Sequence, residues 1–310
     1  MTRHDEHHAP HDGHQQHRHG HAHDHGHGDA GHLDWATMGP LLERGAEVYA
    51  PLYRQAAAWL GELAPESGVR RILDVGSGPG VIAGLLAEAF PDAEVVAVDA
   101  TPELLAQARA RAERLGYGGR FDTVEAELPA GFDALGTADL IWAGDSLHHV
   151  GDQRAAIAGL GALLRPGGVL ALVEGGLPAR HLPRDIGMGR PGLEVRLDAA
   201  NAERFAAMRA SLPDATEEVE DWRALLGAAG LEPTGARSFL LDVPAPAPAQ
   251  VREHLAVNLA HRSSGSEEFL QEDDLAVLAR LADPEDPAGV LNRSDVFLLA
   301  ARTVHTARRP

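Results

Sequence analysis

Between residues 70 and 174 short, wholly apolar runs alternate with stretches of helical period. Ile72-Leu73, Val95–Val98, Leu140–Trp142 and Val169–Val173 read as buried strands. Val81, Ile82, Leu85, Leu86, Ala89 and Phe90 carry the helix spacing between the first two. Such alternation predicts parallel strands joined by right-handed helical crossovers. Residues 33–63 precede this core, with Leu41, Leu42, Val48, Leu52, Trp59 and Leu60 forming one apolar helix face. Thr101-Pro102-Glu103 opens another helix with a capping hydroxyl, a proline in the first turn and an acid near the positive helix end.

Two longer stretches break the rhythm. Residues 175–216 begin as a glycine- and proline-rich loop and turn helical around Leu197–Met208. Residues 217–243 hold a last helix, Asp221–Leu231, and a sixth strand. The Pro244–Pro248 run then leads into helices expected at 249–262 and 271–282, within an insertion at 244–293, before a final strand at 294–304. Ligands of open α/β sheets lie beyond the carboxyl ends of the strands, where strand five delivers the first insertion. That insertion is expected to lid the pocket; the second either joins it or forms a dimer surface, which leaves a homodimer open.

The chemistry concentrates at Ile72-Leu73-Asp74-Val75-Gly76-Ser77-Gly78-Pro79-Gly80. An apolar run ends in an acid, three glycines follow at every second position, and a helix starts. That is a strand, a turn almost free of side chains, and a helix N-terminus facing a ligand. A second apolar run ends in Asp99, whose carboxylate is placed to accept ribose hydroxyls. A nucleoside-containing cofactor follows. The dinucleotide fingerprint wants its third glycine where Val81 stands, and Asp74 suits an ammonium better than a diphosphate.

The D-x-G-x-G-x-G run resembles motif I of class I S-adenosylmethionine (SAM) methyltransferases, and four later segments extend the resemblance. They are Arg120–Pro129, Ala138–Val150, Leu163–Glu174 and Asp221–Leu231, so that it spans roughly residues 40–243. The second of these is similar to small-molecule methyltransferases, including those of quinone biosynthesis. The resemblance implies an α/β, Rossmann-like seven-stranded methyltransferase sheet with helices on both faces and helical cap insertions. It implies that Asp74, Gly76, Gly78 and Gly80 hold the methionine part of SAM and that Asp99, with Ala100, holds the ribose. Glu127, with Leu128, falls where the family binds adenine, unless Glu127 is simply a solvated loop acid. Asp145 falls near the methionine moiety. Tyr49 or Tyr53 can touch cofactor or substrate from the covering N-terminal helix, or merely pack on the sheet.

Composition narrows the partners. The net charge of −19 makes nucleic acid a poor partner, because phosphate binding needs clustered cations. All 27 basic residues are arginine, so a Schiff-base lysine is excluded. Without cysteine there are no disulfides or thiolate metal sites, and arsenic methylation is disfavoured. No apolar run reaches membrane-spanning length and no hydrophobic signal core opens the chain, so a cytoplasmic protein with no membrane partner is expected. Residues 1–32 differ in kind: they hold twelve of the 18 histidines and scarcely an apolar residue, which predicts a disordered tail. The His-x-His spacing of His19, His21, His23, His25 and His27 suits weak divalent metal binding, not required for catalysis.

For the reaction itself, methyl transfer from a sulfonium needs in-line positioning and, for a hydroxyl or carbon acid, deprotonation. His148 and His149, leaving strand four, are the candidate bases, one expected to face the pocket and the other to face away; a packing role is the alternative. Glu174, ending strand five, is the next candidate. His181, His254 and His261 in the insertions read as surface histidines. The sequence thus points to a SAM-dependent methyltransferase acting at oxygen, carbon or nitrogen of a small molecule in specialised metabolism. Protein or RNA methylation, and metal handling through the histidine-rich tail, are the alternatives; a nicotinamide enzyme is least favoured.

Overall fold

The structure, a computed structural model, describes residues 35–263 and 268–310; the five tail histidines proposed for metal lie outside the described residues. The strands are β1 (Arg71–Val75), β2 (Glu94–Asp99), β3 (Phe121–Glu125), β4 (Ala138–Gly144), β5 (Leu164–Arg180), β6 (Glu232–Val243) and β7 (Leu298–Arg308). They form one seven-stranded sheet in the order β3-β2-β1-β4-β5-β7-β6. The first five are parallel, and β7 runs antiparallel to both β5 and β6. The strand order reverses between β1 and β4, so the crevice at their carboxyl ends is the expected ligand site.

Strand residues alternate between two cores, as the pleat requires. Ile72, Val95, Ala97 and Trp142 pack with Leu52 and Leu60 of helix α1 (Trp35–Glu62) and Leu86 of α2 (Val81–Ala89). Leu73, Val75, Val96 and Ile141 pack on the opposite face against Ile157 and Leu160 of α4 (Gln153–Leu163) and Leu225 and Leu226 of α6 (Trp222–Ala228). Helix α3 (Pro102–Arg114) joins β2 to β3 and begins with the expected proline, yet the Thr101 hydroxyl makes no capping bond. The Leu104 N–H is donated to the Thr101 carbonyl at 3.1 Å, and the Thr101 N–H itself to Asp99 Oδ1 at 2.9 Å.

Two boundaries differ from the sequence reading. Strand five does not stop at Glu174: it crosses Gly175-Gly176 as a bulge and continues to Arg180, paired with β7. The glycines that suggested a loop permit that crossing, since a Cβ on Gly176 would lie 2.3 Å from the Ala301 carbonyl oxygen. Strand seven occupies 298–308, four residues later than expected at each end. The insertions contain α5 (Leu193–Ser211), α7 (Ala249–Ser263) and α8 (Glu272–Ala282).

Asp274 of α8 clamps the two insertions together. Its buried carboxylate accepts from Arg196 of α5 through Nε and Nη2, both at 2.8 Å, and from Arg190 Nη2 at 2.7 Å. These arginines, Arg196 foremost, hold the carboxyl below its ordinary range. Asp274→Ala leaves two part-exposed arginines to solvent and the Pro191 and Arg190 carbonyls, and urea unfolding should show a loss of about 1–2 kcal/mol.

Candidate active site

The turn after β1 is laced to the end of β2. Gly76 and Ser77 both donate their N–H groups to the Val98 carbonyl, at 2.9 and 3.0 Å, and Gly78 N–H donates to Asp99 Oδ2 at 2.9 Å. Gly76, Gly78 and Gly80 all have positive φ, of 73°, 51° and 77°, which side-chain-bearing residues resist. They differ in what surrounds them. A Cβ on Gly80 would sit 2.6 Å from that of Ala108, whereas one on Gly78 would meet nothing within 4 Å. Gly80→Ala should therefore lower stability by about 1–3 kcal/mol in a denaturant titration. Gly78→Ala should cost about 1 kcal/mol of backbone strain and chiefly obstruct whatever the turn binds.

Asp74 lies beneath this turn. It is 2% exposed, accepts a hydrogen bond from the Ala83 N–H, and leaves Oδ2 with no partner. Burial, which outweighs that bond and is reinforced by Asp99, pushes its carboxyl up to about 7. Asp99 and Ala100 stand at the neighbouring strand end, where Ala126 N–H donates to the Asp99 carbonyl. That bond brings Glu127, exposed, and Leu128, half-buried, to the same edge.

On the other side, β4 ends in Asp145, held at φ 48° with its N–H on the Val173 carbonyl. Its Oδ2 accepts the Tyr53 hydroxyl at 3.4 Å and faces Arg302 Nε at 3.9 Å. Although half of its side chain is exposed, the protein packed around Asp145 pushes its carboxyl up, against the opposing charge of Arg302. The next turn carries Leu147, His148 and His149. Glu174, buried at the point where β5 enters its bulge, accepts the Leu147 N–H at 3.0 Å and meets His148 Nδ1 at 3.2 Å. Burial opposes a charge on His148, but the Glu174 hydrogen bond and the fields of Glu174 and Asp145 prevail and raise its pKa above 6.5. Burial and the neighbouring His148 lower that of His149.

Both histidine rings line a cleft of about 670 Å³, where one was expected to face away. Their centroids are 4.2 Å apart, and Phe205 of α5 lies 5.5 Å from His148. Pro178 from the extended β5, and Asp198 and Arg204 from α5, complete the walls. The first insertion thus contributes directly to the cleft.

Residues 73–170 match a family described as a methyltransferase domain. A trans-aconitate 2-methyltransferase from Methylobacterium radiotolerans is 35% identical over 55% of this chain, which spans 66% of that relative's length, just under two thirds. A second, from Methylobacterium nodulans, is 31% identical over 64% of this chain and 80% of its own. A release factor glutamine methyltransferase from Deinococcus radiodurans is 33% identical over 58% of this chain and 72% of its own. The chain belongs to the class I SAM-dependent methyltransferase family.

SAM carries an ammonium, a carboxylate, a sulfonium, a ribose and an adenine, and the β1–β4 edge of this methyltransferase offers chemistry for such groups. The unpartnered Asp74 Oδ2 is an acceptor without a donor, and Ser77 Oγ is likewise buried without a partner. Gly78 leaves open space above the turn, and each Asp99 oxygen retains a lone pair beyond its single backbone contact. Sequence reasoning missed Arg302, which reaches Asp145 from β7, and Tyr53 as that acid's partner. It also placed His181 on the surface, whereas His181 is 2% exposed, with Nδ1 3.2 Å from Glu194. Glu194 occupies the first turn of α5, so its attraction to the segment after β5 draws His181 inward. Among the described residues, no group of three or more His, Asp or Glu side chains is arranged to hold a metal ion. No described helix is long and apolar enough to cross a membrane.

Proposed function

We propose that this methyltransferase uses SAM to methylate a hydroxyl of a small molecule, with His148 as the general base. The observation that carries this reading is the Glu174–His148 pair at the carboxyl edge of β4 and β5, in the turn whose Ser146 abuts Gly76 of the glycine loop. Bound SAM supplies an electrophilic methyl group on a good leaving group. The chain supplies the rest. Asp74 and Asp145 hold the ammonium end, Asp99 with Ala100 the ribose, and Glu127 with Leu128 the adenine edge.

Glu174 accepts the Nδ1 proton of His148, which directs the lone pair of Nε2 away from it. This is the tautomer that can take a proton from an acceptor hydroxyl. His149, whose pKa is lowered, stays neutral beside it and can donate or accept a hydrogen bond to the acceptor. A cleft of about 670 Å³ falls in the range of small-molecule sites and favours such a substrate over a macromolecular one. The trans-aconitate methyltransferases among the relatives point the same way, and the release factor relative points to protein. Incubation with methyl-labelled SAM and a lysate of the source organism decides between them. Label is expected in the small-molecule fraction; label in protein or RNA would overturn the reading.

A further inference from the structure

Arg302 is a part-buried cation in an acidic protein, its side chain 25% exposed and its Nε 3.9 Å from Asp145. It is placed there by pairing: β7 sets Arg302 opposite Gly176 of the β5 bulge and opposite Phe239 of β6. Its environment is only half satisfied. Nη1 donates to the Ala301 carbonyl at 3.3 Å, while Nε is buried with no hydrogen-bond partner. The one countercharge among its described ion pairs, Asp145, stands at 3.9 Å, beyond hydrogen-bond reach and already engaged by Tyr53. Tyr53 also hydrogen-bonds the guanidinium, which leaves Nε as the unused donor of a part-exposed cation, open to an anion that approaches it in plane.

The surroundings select among anions. The guanidinium carbon lies 5.3 Å from the Tyr49 ring centre, and the Tyr49 ring meets His254 edge-on at 6.0 Å. His254 and the buried His181 sense one another electrostatically, and both present a buried Nε2 without a hydrogen-bond partner. The series Asp145, Arg302, Tyr49, His254 and His181 thus runs from an exposed acid at the strand edge to a buried histidine. Such orphaned groups are costly unless a ligand engages them. A planar carboxylate against Arg302 gives its Nε the acceptor it lacks.

We infer that Arg302 binds a carboxylate group of the acceptor, so that the substrates of this methyltransferase are organic acids. This rests on the proposed methyltransferase reading, in which Asp145 faces Arg302 at 3.9 Å and senses the charge of His148.

The test uses the full chain loaded with S-adenosylhomocysteine and ligand-observed NMR. Affinities are measured for 4-hydroxybenzoate against 4-hydroxybenzamide, and for succinate against succinamide. Each acid is expected to bind at least tenfold more tightly than its amide, with the preference lost in Arg302→Gln and partly kept in Arg302→Lys. Both variants should keep the far-UV circular dichroism spectrum and melting temperature of the unmodified protein, which shows that they fold. Equal binding of acid and amide, or a preference that survives Arg302→Gln, would overturn the inference. Failure of S-adenosylhomocysteine to bind the unmodified protein would instead overturn the cofactor reading. The acid–amide comparison on the ligand-free protein would then still decide the role of Arg302.

Discussion

Asp74→Asn is expected to make the ligand-free protein more stable at pH 8 and unable to hold SAM. The two effects share one cause. The Asp74 carboxylate sits in the core with one oxygen unpartnered, and burial raises its pKa from 3.8 to about 7. Below pH 3.8 the carboxyl is protonated in folded and unfolded chains alike. Between 3.8 and about 7 only the folded chain keeps the proton, so folded-state stability falls as pH climbs through that window. Above it the deficit is constant, on the order of 4 kcal/mol at most for a shift of this size. Asparagine removes the buried charge but adds an amide to satisfy. The net gain at pH 8 should be about 1–3 kcal/mol, which calorimetry reads as a rise in Tm of roughly 5 °C.

The same charge is what an ammonium needs. SAM should draw the Asp74 proton off on binding, so its affinity should fall roughly tenfold per pH unit below about 7. Titration calorimetry in buffers of different ionisation enthalpy should show a proton released near pH 6.5. A SAM affinity flat between pH 5.5 and 8, or undiminished in Asp74→Asn, removes Asp74 from the site. Such a trade between stability and binding is usual where a site stores an unpaired group for its ligand.

The features legible in the sequence are those set by local spacing. Asp74 and the three glycines occupy one strand and one turn, and period-2 and period-3.6 patterns place Ile72 and Leu73 on opposite faces. The helices at 249–263 and 272–282 follow from the same periodicity. Features set by register were not legible. Nothing near Arg302 in the chain predicts that Gly176 will let β5 continue and so carry this arginine towards Asp145. Glu174 and His148 were each visible as candidates, but their partnership depends on β4 and β5 lying side by side, with Gly144 opposite Val173. The Thr101 hydroxyl makes no cap because the Leu104 N–H it would accept is donated to the Thr101 carbonyl at 3.1 Å. His181 reads as a surface residue until Glu194 is seen to hold its N–H and its ring.

Glu174 and His148 carry the second large expected effect. If His148 takes the acceptor proton, His148→Ala should lower kcat by about 10²–10⁴-fold on the hydroxyl acceptor found by labelling, with SAM affinity unchanged. Glu174→Gln keeps the volume and a hydrogen bond to the His148 ring but loses the charge that raises its pKa. Histidine NMR should show His148 titrating above 6.5 in the unmodified protein and at lower pH in Glu174→Gln. The direction follows from which form Glu174 favours. It stabilises imidazolium, so the neutral base is recovered only as pH rises, and the rate should climb with pH through the His148 pKa. In Glu174→Gln that limb should move to lower pH while the plateau drops, because a weaker, less well-oriented base remains. A His148 that titrates identically in both proteins would break the pair. A pH limb that moves without any fall in the plateau would leave Glu174 tuning a histidine that takes no proton from the acceptor.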